Sequence, residues 1–173
     1  MIDITKFSYE SMLVWIAAFC IMEFPMRHMF LNYVGGKNLE TWYGFKTFTP
    51  YGVVLSDLLY TMVGIIIAQR IYGVLYPKGQ GNLLKFFGIF LAVQIVGDLT
   101  FYVIIKNIKY RNKWVDFFKK YTETAGVNAV VGDSLYIVAW TLTALLVSKI
   151  SIDILVATIF LFLFLLTIIS EGD

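Results

Sequence analysis

Five long apolar blocks constrain this chain more than any other feature of its sequence. Each block is close to the ~20 residues that an α-helix needs to cross the hydrocarbon core of a bilayer. Hydrophobic residues make up 59% of the 173 residues and charged residues 15%, whereas a soluble domain has roughly 45–50% and about 25%. The sequence therefore predicts an all-α integral membrane bundle, with residues 1–173 forming a single transmembrane domain.

The apolar blocks give the approximate helix boundaries. The predicted membrane helices cover residues 11–30, 51–75, 82–108, 126–147 and 150–169. Pro25 is expected to kink the first helix, and a tight turn is predicted at residues 78–81. Residues 32–50 are rich in aromatic side chains and predict an interfacial loop. Residues 109–122 predict a short amphipathic helix on the membrane surface.

Several classes of protein are excluded or disfavoured by composition. The formal net charge of +2 argues against nucleic-acid binding. The single cysteine, Cys20, rules out a disulfide framework within the chain. The N-terminus lacks the basic region and cleavage site of a signal peptide, so the first apolar block is predicted to be retained. No P-loop, nucleophile elbow or HExxH motif is present, and no cofactor is expected.

The distribution of basic residues predicts the orientation. Five crossings put the termini on opposite sides of the membrane. Of the 14 lysines and arginines, five fall on the side of the N-terminus and nine on the side of the C-terminus. The positive-inside rule then predicts an outside N-terminus and a cytoplasmic C-terminus. Beyond the lipid bilayer, the predicted partners are anionic lipid along the stretch between Lys106 and Lys120 and a second copy in a homo-oligomer.

Four acidic residues interrupt the apolar blocks: Glu23, Asp57, Asp98 and Asp133. Because successive helices alternate in direction, each carboxyl group is expected roughly 9–12 Å from the same membrane surface, at 1.5 Å per residue. A charged aspartate at the centre of a membrane helix costs about 2.5–3.5 kcal/mol on insertion scales. The four carboxyl groups should therefore face inward, where they are protonated, paired, hydrated or bound to a cation.

Other polar residues are predicted to support these acids. Each aspartate follows a small residue and precedes, by three or four positions, a tyrosine on the same helical face, which is expected to orient the carboxylate. With one histidine in the chain, any bound metal would be a hard cation held by oxygen ligands. The predicted supporting residues are Gln94, Tyr60, Tyr102, Tyr136, Asn128 and Arg27.

Three short motifs give the chain a resemblance to a known group. Asp57-Leu58-Leu59-Tyr60, Asp98-Leu99-Thr100 and Asp133-Ser134-Leu135-Tyr136 resemble, in the same order, motifs of small uncharacterised four-helix membrane proteins of bacteria and large DNA viruses. The resemblance covers residues 52–147. This chain departs from it by tyrosine in place of tryptophan, a longer basic loop and an extra helix at each end. It implies a polytopic membrane fold and a possible viral source, and no activity.

Three functions remain open from the sequence. The first is proton- or cation-linked transport or conduction, with the four acids as the binding or relay site. The second is a structural role, for example in a viral envelope, in which the polar residues only hold the helices together. The third is a membrane-embedded enzyme acting on lipid, with carboxylates in acid–base roles, which requires a hydrophobic cleft open to the bilayer beside Asp98.

Overall fold

The protein forms an all-helical bundle whose five long helices match the five apolar blocks. The computed structural model describes residues 1–34, 36–44, 47–77 and 82–171, and the predicted turn at residues 78–81 lies outside them. Within these described residues, five helices are long and apolar enough to cross a membrane, so the chain is a multi-pass membrane protein. The α-helices are α1 Tyr9–Met29, α2 Lys37–Tyr43, α3 Pro50–Leu75, α4 Leu83–Asn107, α5 Lys113–Ala125, α6 Val127–Val147 and α7 Ile152–Glu171.

Polar caps fix where several helices begin. The Ser8 hydroxyl accepts from the Ser11 amide at 3.1 Å, and the Asn82 side chain accepts from the Lys85 amide at 2.9 Å. The Thr49 hydroxyl caps α3 directly before Pro50, which occupies the first helical turn. The Asn112 side chain accepts from two amides at the start of α5. Each cap satisfies amide groups that have no partner within the helix, which explains why the observed starts differ by a few residues from the predicted ones.

The segment between the first two membrane helices is more ordered than the predicted interfacial loop. Helix α1 continues through Pro25 and passes into a π-helical turn at Phe30–Val34. After Gly36, which has a positive φ of 110° that favours glycine, the chain forms α2. This helix lies at the same end of the bundle as α5, because the Asn38 side chain donates to the Thr124 hydroxyl at 2.6 Å.

Helix α1 lies at the centre of the bundle. It packs against α6, α7 and α3, while α4 packs against α3 and α6. In the most apolar part of each span, 61% of the α1 residues are buried, against 17% in α4 and in α7. The apolar helix α7 therefore leaves most of its side chains on the outside of the bundle, where a membrane protein meets lipid. A residue that faces inward from α1 can therefore contact several helices at once.

The two ends of the bundle are closed differently. At the N-terminal face, residues 1–8 fold over the helix ends, and the Ile2 amide donates to the Ser148 carbonyl at 2.9 Å. At the C-terminal face, α2 and α5 meet through an aromatic cap, defined by Trp42, Phe48, Trp114, Phe117 and Phe118. Rings within this cap lie 4.3–5.5 Å apart, as in favourable aromatic pairs.

The aromatic side of α5 packs inside the protein. Trp114 approaches the start of α3 so closely that a Cβ atom on Gly52 would lie 3.1 Å from its ring. The predicted amphipathic helix is present, at Lys113–Ala125 rather than residues 109–122. Its apolar side chains serve as an intramolecular contact, and the basic side chains such as Lys113 and Lys120 remain on the exposed side.

Candidate functional site

Four helices each contribute one acid to the half of the bundle below the aromatic cap. Glu23 lies on α1, Asp57 on α3, Asp98 on α4 and Asp133 on α6. Each is six to nine residues from the end of its helix at the C-terminal face, or about 9–14 Å at 1.5 Å per residue. Asp57 interacts electrostatically with Glu23 and Asp133, and Asp133 interacts with Asp98. The acid cluster defined by these four residues is therefore one electrostatic unit.

Glu23 is the most deeply buried member of the acid cluster. Its side chain is 1% exposed, and its Oε2 atom accepts a hydrogen bond from the Tyr136 hydroxyl at 2.7 Å. Its Oε1 atom is buried and has no hydrogen-bond partner among the described residues. Arg27, one turn further along α1, interacts electrostatically with Glu23 and donates from Nε to the Tyr43 carbonyl at 2.7 Å.

The position of Glu23 follows from a four-residue repeat along α1. Ser11, Trp15, Phe19 and Glu23 occupy one face of the helix and are all at most 1% exposed. Below Trp15, the Phe19 ring packs on Tyr136 at 6.3 Å between centroids. Along this side of α1, the buried side chains thus change from aromatic to acidic toward the C-terminal face of the bundle. Glu23 lies where the aromatic packing ends.

Asp98 has two hydrogen-bond donors on different helices. The Tyr60 hydroxyl of α3 donates to Oδ1 at 3.0 Å, and the Gln94 amide of α4 donates to the same atom at 2.8 Å. A Cβ atom on Gly97 would lie 3.0 Å from the Tyr60 hydroxyl, so the glycine before Asp98 leaves room for this approach. The Oδ2 atom of Asp98 is buried without a partner among the described residues.

Asp57 and Asp133 differ in the hydrogen bonds that their carboxylates accept. The Trp42 indole N–H of α2 donates to Oδ2 of Asp57 at 3.0 Å, which ties the aromatic cap to the acid cluster. Asp133 forms no hydrogen bond within the described parts of the chain. One carboxylate and two further buried carboxylate oxygens are thus available for protons, water or a cation.

The predicted tyrosine partners require correction. Tyr60 binds Asp98 rather than Asp57, and Tyr136 binds Glu23 rather than Asp133. A tyrosine hydroxyl stands much farther from its own helix axis than an aspartate carboxylate does, so it reaches the neighbouring helix instead of the acid one turn away. Tyr102 is 39% exposed, and its hydroxyl accepts from Lys106 at 3.4 Å.

Of the other predicted supporting residues, Gln94 and Arg27 lie at the acid cluster and Asn128 does not. Asn128 is exposed in the first turn of α6 and has no hydrogen bond with the described residues. The structure adds Trp42, Tyr43 and Tyr121, which no motif or spacing in the sequence singles out. A buried tryptophan needs an acceptor for its N–H, yet no local pattern indicates that Asp57 provides it.

The geometry of the acid cluster bears on what it can bind. Within residues 1–34, 36–44, 47–77 and 82–171, no three histidine, cysteine, aspartate or glutamate side chains are close enough to hold one metal ion. The hydrogen bonds of the acids come from tyrosine, tryptophan and glutamine instead.

Tyr43 and Tyr121 lie between the acid cluster and the surface at the C-terminal face. Burial, followed by the charges of Asp57, Glu23 and Asp133, raises the pKa of Tyr43 well above its usual 10.0. Burial and nearby aspartates also raise the pKa of Tyr121. Both hydroxyls therefore stay protonated at neutral pH and can donate hydrogen bonds toward the acids.

The raised pKa of Tyr43 predicts a loss of stability at high pH. The unfolded chain releases the phenolic proton near pH 10.0 and the folded chain releases it only at higher pH. The contribution of Tyr43 is therefore complete below pH 10 and is lost above it, by at most about 1.4 kcal/mol per pH unit. Thermal unfolding in detergent from pH 8 to 11 should show a smaller alkaline loss for Tyr43→Phe than for the wild type.

Tyr33→Phe is the matched control for that measurement, because the Tyr33 side chain is 79% exposed. An alkaline loss of stability that is identical in the wild type and in Tyr43→Phe would contradict the burial of the Tyr43 hydroxyl among carboxylates.

A groove open to the lipid side runs between α3 and α4 beside the acid cluster. It has a volume of about 610 Å³, and its walls include Tyr60 and Gln94, the two donors to Asp98. Most other lining residues are aliphatic, such as Val63, Ile67 and Ile104. The groove provides the kind of cleft that a lipid-directed enzyme would need, but Asp98 itself does not line it.

Comparison with protein family models, curated proteins and solved structures found no match to this chain. The fold and the site define a multi-pass helical membrane protein with an acid cluster in which Glu23 is buried and the three aspartates are partly buried. The resemblance to small bacterial and viral membrane proteins stays a prediction.

Proposed function

We propose that this protein carries out proton-linked transport or conduction across its membrane, with Glu23, Asp57, Asp98 and Asp133 as the proton-binding site. The observation that supports this most directly is the pair of buried carboxylate oxygens without partners, Glu23 Oε1 and Asp98 Oδ2. A protein that used these acids only to join helices would be expected to satisfy both oxygens of each carboxylate, because a buried unpaired acceptor costs about 1–3 kcal/mol.

The charge balance supports the same proposal. Charge interactions link the acids in pairs, from Glu23 to Asp57, from Asp57 to Asp133 and from Asp133 to Asp98. Arg27 interacts with Glu23. Inside a membrane, keeping four neighbouring carboxylates ionised has a large free-energy cost. The acid cluster must therefore carry protons, and their number depends on its surroundings. Intramembrane acids of this kind are typical of proton relays in pumps and transporters.

The path to the acid cluster is asymmetric. Toward the C-terminal face, the aromatic cap and the hydroxyls of Tyr43 and Tyr121 lie between the acids and the surface. Toward the N-terminal face lies a layer of five rings, all 0% exposed: Trp15, Phe19, Phe86, Phe90 and Trp140. Protons would therefore enter from the C-terminal face in this conformation, and a second conformation would release them on the other side.

Proton flux in proteoliposomes tests the proposal. The purified protein is placed in vesicles that contain a pH-sensitive dye, and a potassium diffusion potential drives protons inward. The protein should raise the rate of internal acidification above that of empty vesicles, in proportion to the amount reconstituted. Flux indistinguishable from that of empty vesicles at every imposed potential and pH gradient would count against proton conduction. Coupled transport is tested separately, by measuring whether a pH gradient drives the uptake of added solutes.

A structural role is the second candidate, and the cross-helix hydrogen bonds favour it. Tyr136 to Glu23 joins α6 to α1, Tyr60 to Asp98 joins α3 to α4, and Trp42 to Asp57 joins α2 to α3. Interhelical hydrogen bonds in membranes stabilise by about 0.6 kcal/mol on average. If this is their only role, substitutions in the acid cluster should lower thermal stability and leave every transport measurement unchanged.

The orientation follows from the excess of basic residues at the C-terminal face, which we infer to be cytoplasmic. Its exposed lysines, including Lys109 before α5 and Lys120 on α5, would then rest on anionic lipid. In a Cys20→Ser background, a Tyr110→Cys variant should resist a membrane-impermeant maleimide in intact cells. A Lys149→Cys variant, at the N-terminal face, should react. The reverse pattern would invert the proposed topology.

A further inference from the structure

Residues 1–8 close the N-terminal face with a buried contact rather than a loose tail. Ile4 is 3% exposed and belongs to the main hydrophobic core. Its carbonyl accepts from the Trp15 indole N–H at 3.1 Å and from the Gln69 amide at 2.9 Å. Two buried side chains on two membrane helices thus hold one residue of a segment that has no regular secondary structure.

Gln69 is the main polar anchor of this segment. Its amide also donates to the Lys6 carbonyl at 3.2 Å and lies 2.8 Å from the Ser11 hydroxyl oxygen. The side chain is 3% exposed, yet its Oε1 atom has no hydrogen-bond partner among the described residues. The unpaired Oε1 atom of Gln69 therefore lowers the stability of the fold, while the amide group of the same side chain holds residues 1–8 in place.

The segment rests directly on the aromatic layer that separates the acid cluster from the N-terminal face. Trp15, which binds the Ile4 carbonyl, packs edge-on against Trp140 with 4.9 Å between ring centroids. The Trp140 indole in turn donates to the Trp15 carbonyl at 2.9 Å. A single chain of contacts thus runs from Ile4 through both indoles and Phe19 to Tyr136, which binds Glu23.

We propose that residues 1–8 form a plug that closes the path from the acid cluster to the N-terminal face and must move for protons to leave on that side. This inference rests on the proposed function, because it assigns a regulatory element to the same site. Displacement of the plug breaks the hydrogen bonds to Trp15 and Gln69 and frees both indoles to rearrange. The closed plug corresponds to the conformation with access from the C-terminal face.

A disulfide that locks the plug tests the proposal. The backbone hydrogen bond from Ile2 to Ser148 implies Cα atoms near the ~4.4–6.8 Å separation that a disulfide requires. In a Cys20→Ser background, oxidised Ile2→Cys/Ser148→Cys protein should lose roughly ten-fold of its steady proton flux, and a reductant should restore it. Each single-cysteine variant serves as the control for oxidation. Equal flux in the locked and the reduced protein would overturn the plug.

Release of the plug gives an independent test. Gln69→Leu keeps the size of the side chain and removes its hydrogen bonds to residues 1–8. In the Cys20→Ser background, an Ile4→Cys reporter should then react with a membrane-impermeant maleimide roughly ten-fold faster than it does when Gln69 is present. With Ile4 and Cys20 both native, Gln69→Leu should also increase proton flux.

The two proposals can fail separately. Faster labelling without a change in flux would overturn the plug, provided that the wild type conducts protons. Unchanged labelling would overturn it as well. Absence of flux from the wild type and from every variant would instead overturn the proposed function, whatever the labelling shows.

Discussion

Replacing Asp98 with asparagine is expected to abolish proton-linked flux while the protein still inserts and folds. The asparagine side chain has the same shape and keeps an oxygen that can accept from Tyr60 and Gln94, which both bind Oδ1. It cannot take up or release a proton. Flux in proteoliposomes should therefore fall roughly ten-fold or more, to the level of empty vesicles, if Asp98 belongs to the relay.

The control for this substitution is Asp153→Asn. Asp153 is exposed at the start of α7, at the N-terminal face and away from the acid cluster, so its loss should leave flux unchanged. The melting temperature in detergent separates the two candidate functions. Lost flux with a nearly unchanged melting temperature supports proton transfer through Asp98. Normal flux with a clearly lower melting temperature would leave only the structural role.

Replacing Trp15 with alanine should cause the largest loss of stability of any single substitution proposed for this chain. The Trp15 ring is 0% exposed and contacts Phe86, Phe90 and Trp140. Truncation of a buried aromatic residue costs about 3–5 kcal/mol, through lost packing and the cavity that remains. For a chain of this length that corresponds to a melting temperature lower by on the order of 10 °C in detergent.

Phe160→Ala is the matched control, because the Phe160 side chain on α7 is 68% exposed and faces lipid. Its removal takes an aromatic ring of similar kind from the surface and should shift the melting temperature by only a few degrees. Trp15→Phe separates packing from hydrogen bonding, since it keeps an aromatic ring but cannot donate to the Ile4 carbonyl. A Trp15→Ala variant as stable as Phe160→Ala would contradict the central position of α1.

Some features of this protein could be predicted because they depend on short stretches of sequence. The membrane helices follow from the length of each apolar block, and the predicted bounds lie within a few residues of the observed ones. The shared depth of the four acids also follows from sequence, because helix direction alternates and the rise per residue is constant. Gln94 is predicted as a supporting residue, and its amide donates to Asp98 four positions later on the same helix.

Other features could not be predicted because they depend on how each helix is rotated about its axis. A four-residue spacing places Tyr60 beside Asp57, but only the packing of α3 against α4 decides that its hydroxyl reaches Asp98 instead. The aromatic residues of the segment before α3 are as typical of a membrane interface as of the inside of a protein. The inward placement of Trp42 depends on α5, which is more than 60 residues away in the sequence.

The sequence by itself determined that this chain has five helices long and apolar enough to cross a membrane, with four acids at one level, because hydrophobic length and helical rise are local properties. The tertiary structure alone decided which donors each acid receives, which carboxylate oxygens remain unpaired and that residues 1–8 cover Trp15. These features arise from contacts between helices far apart in sequence, where small differences in rotation determine which side chains meet.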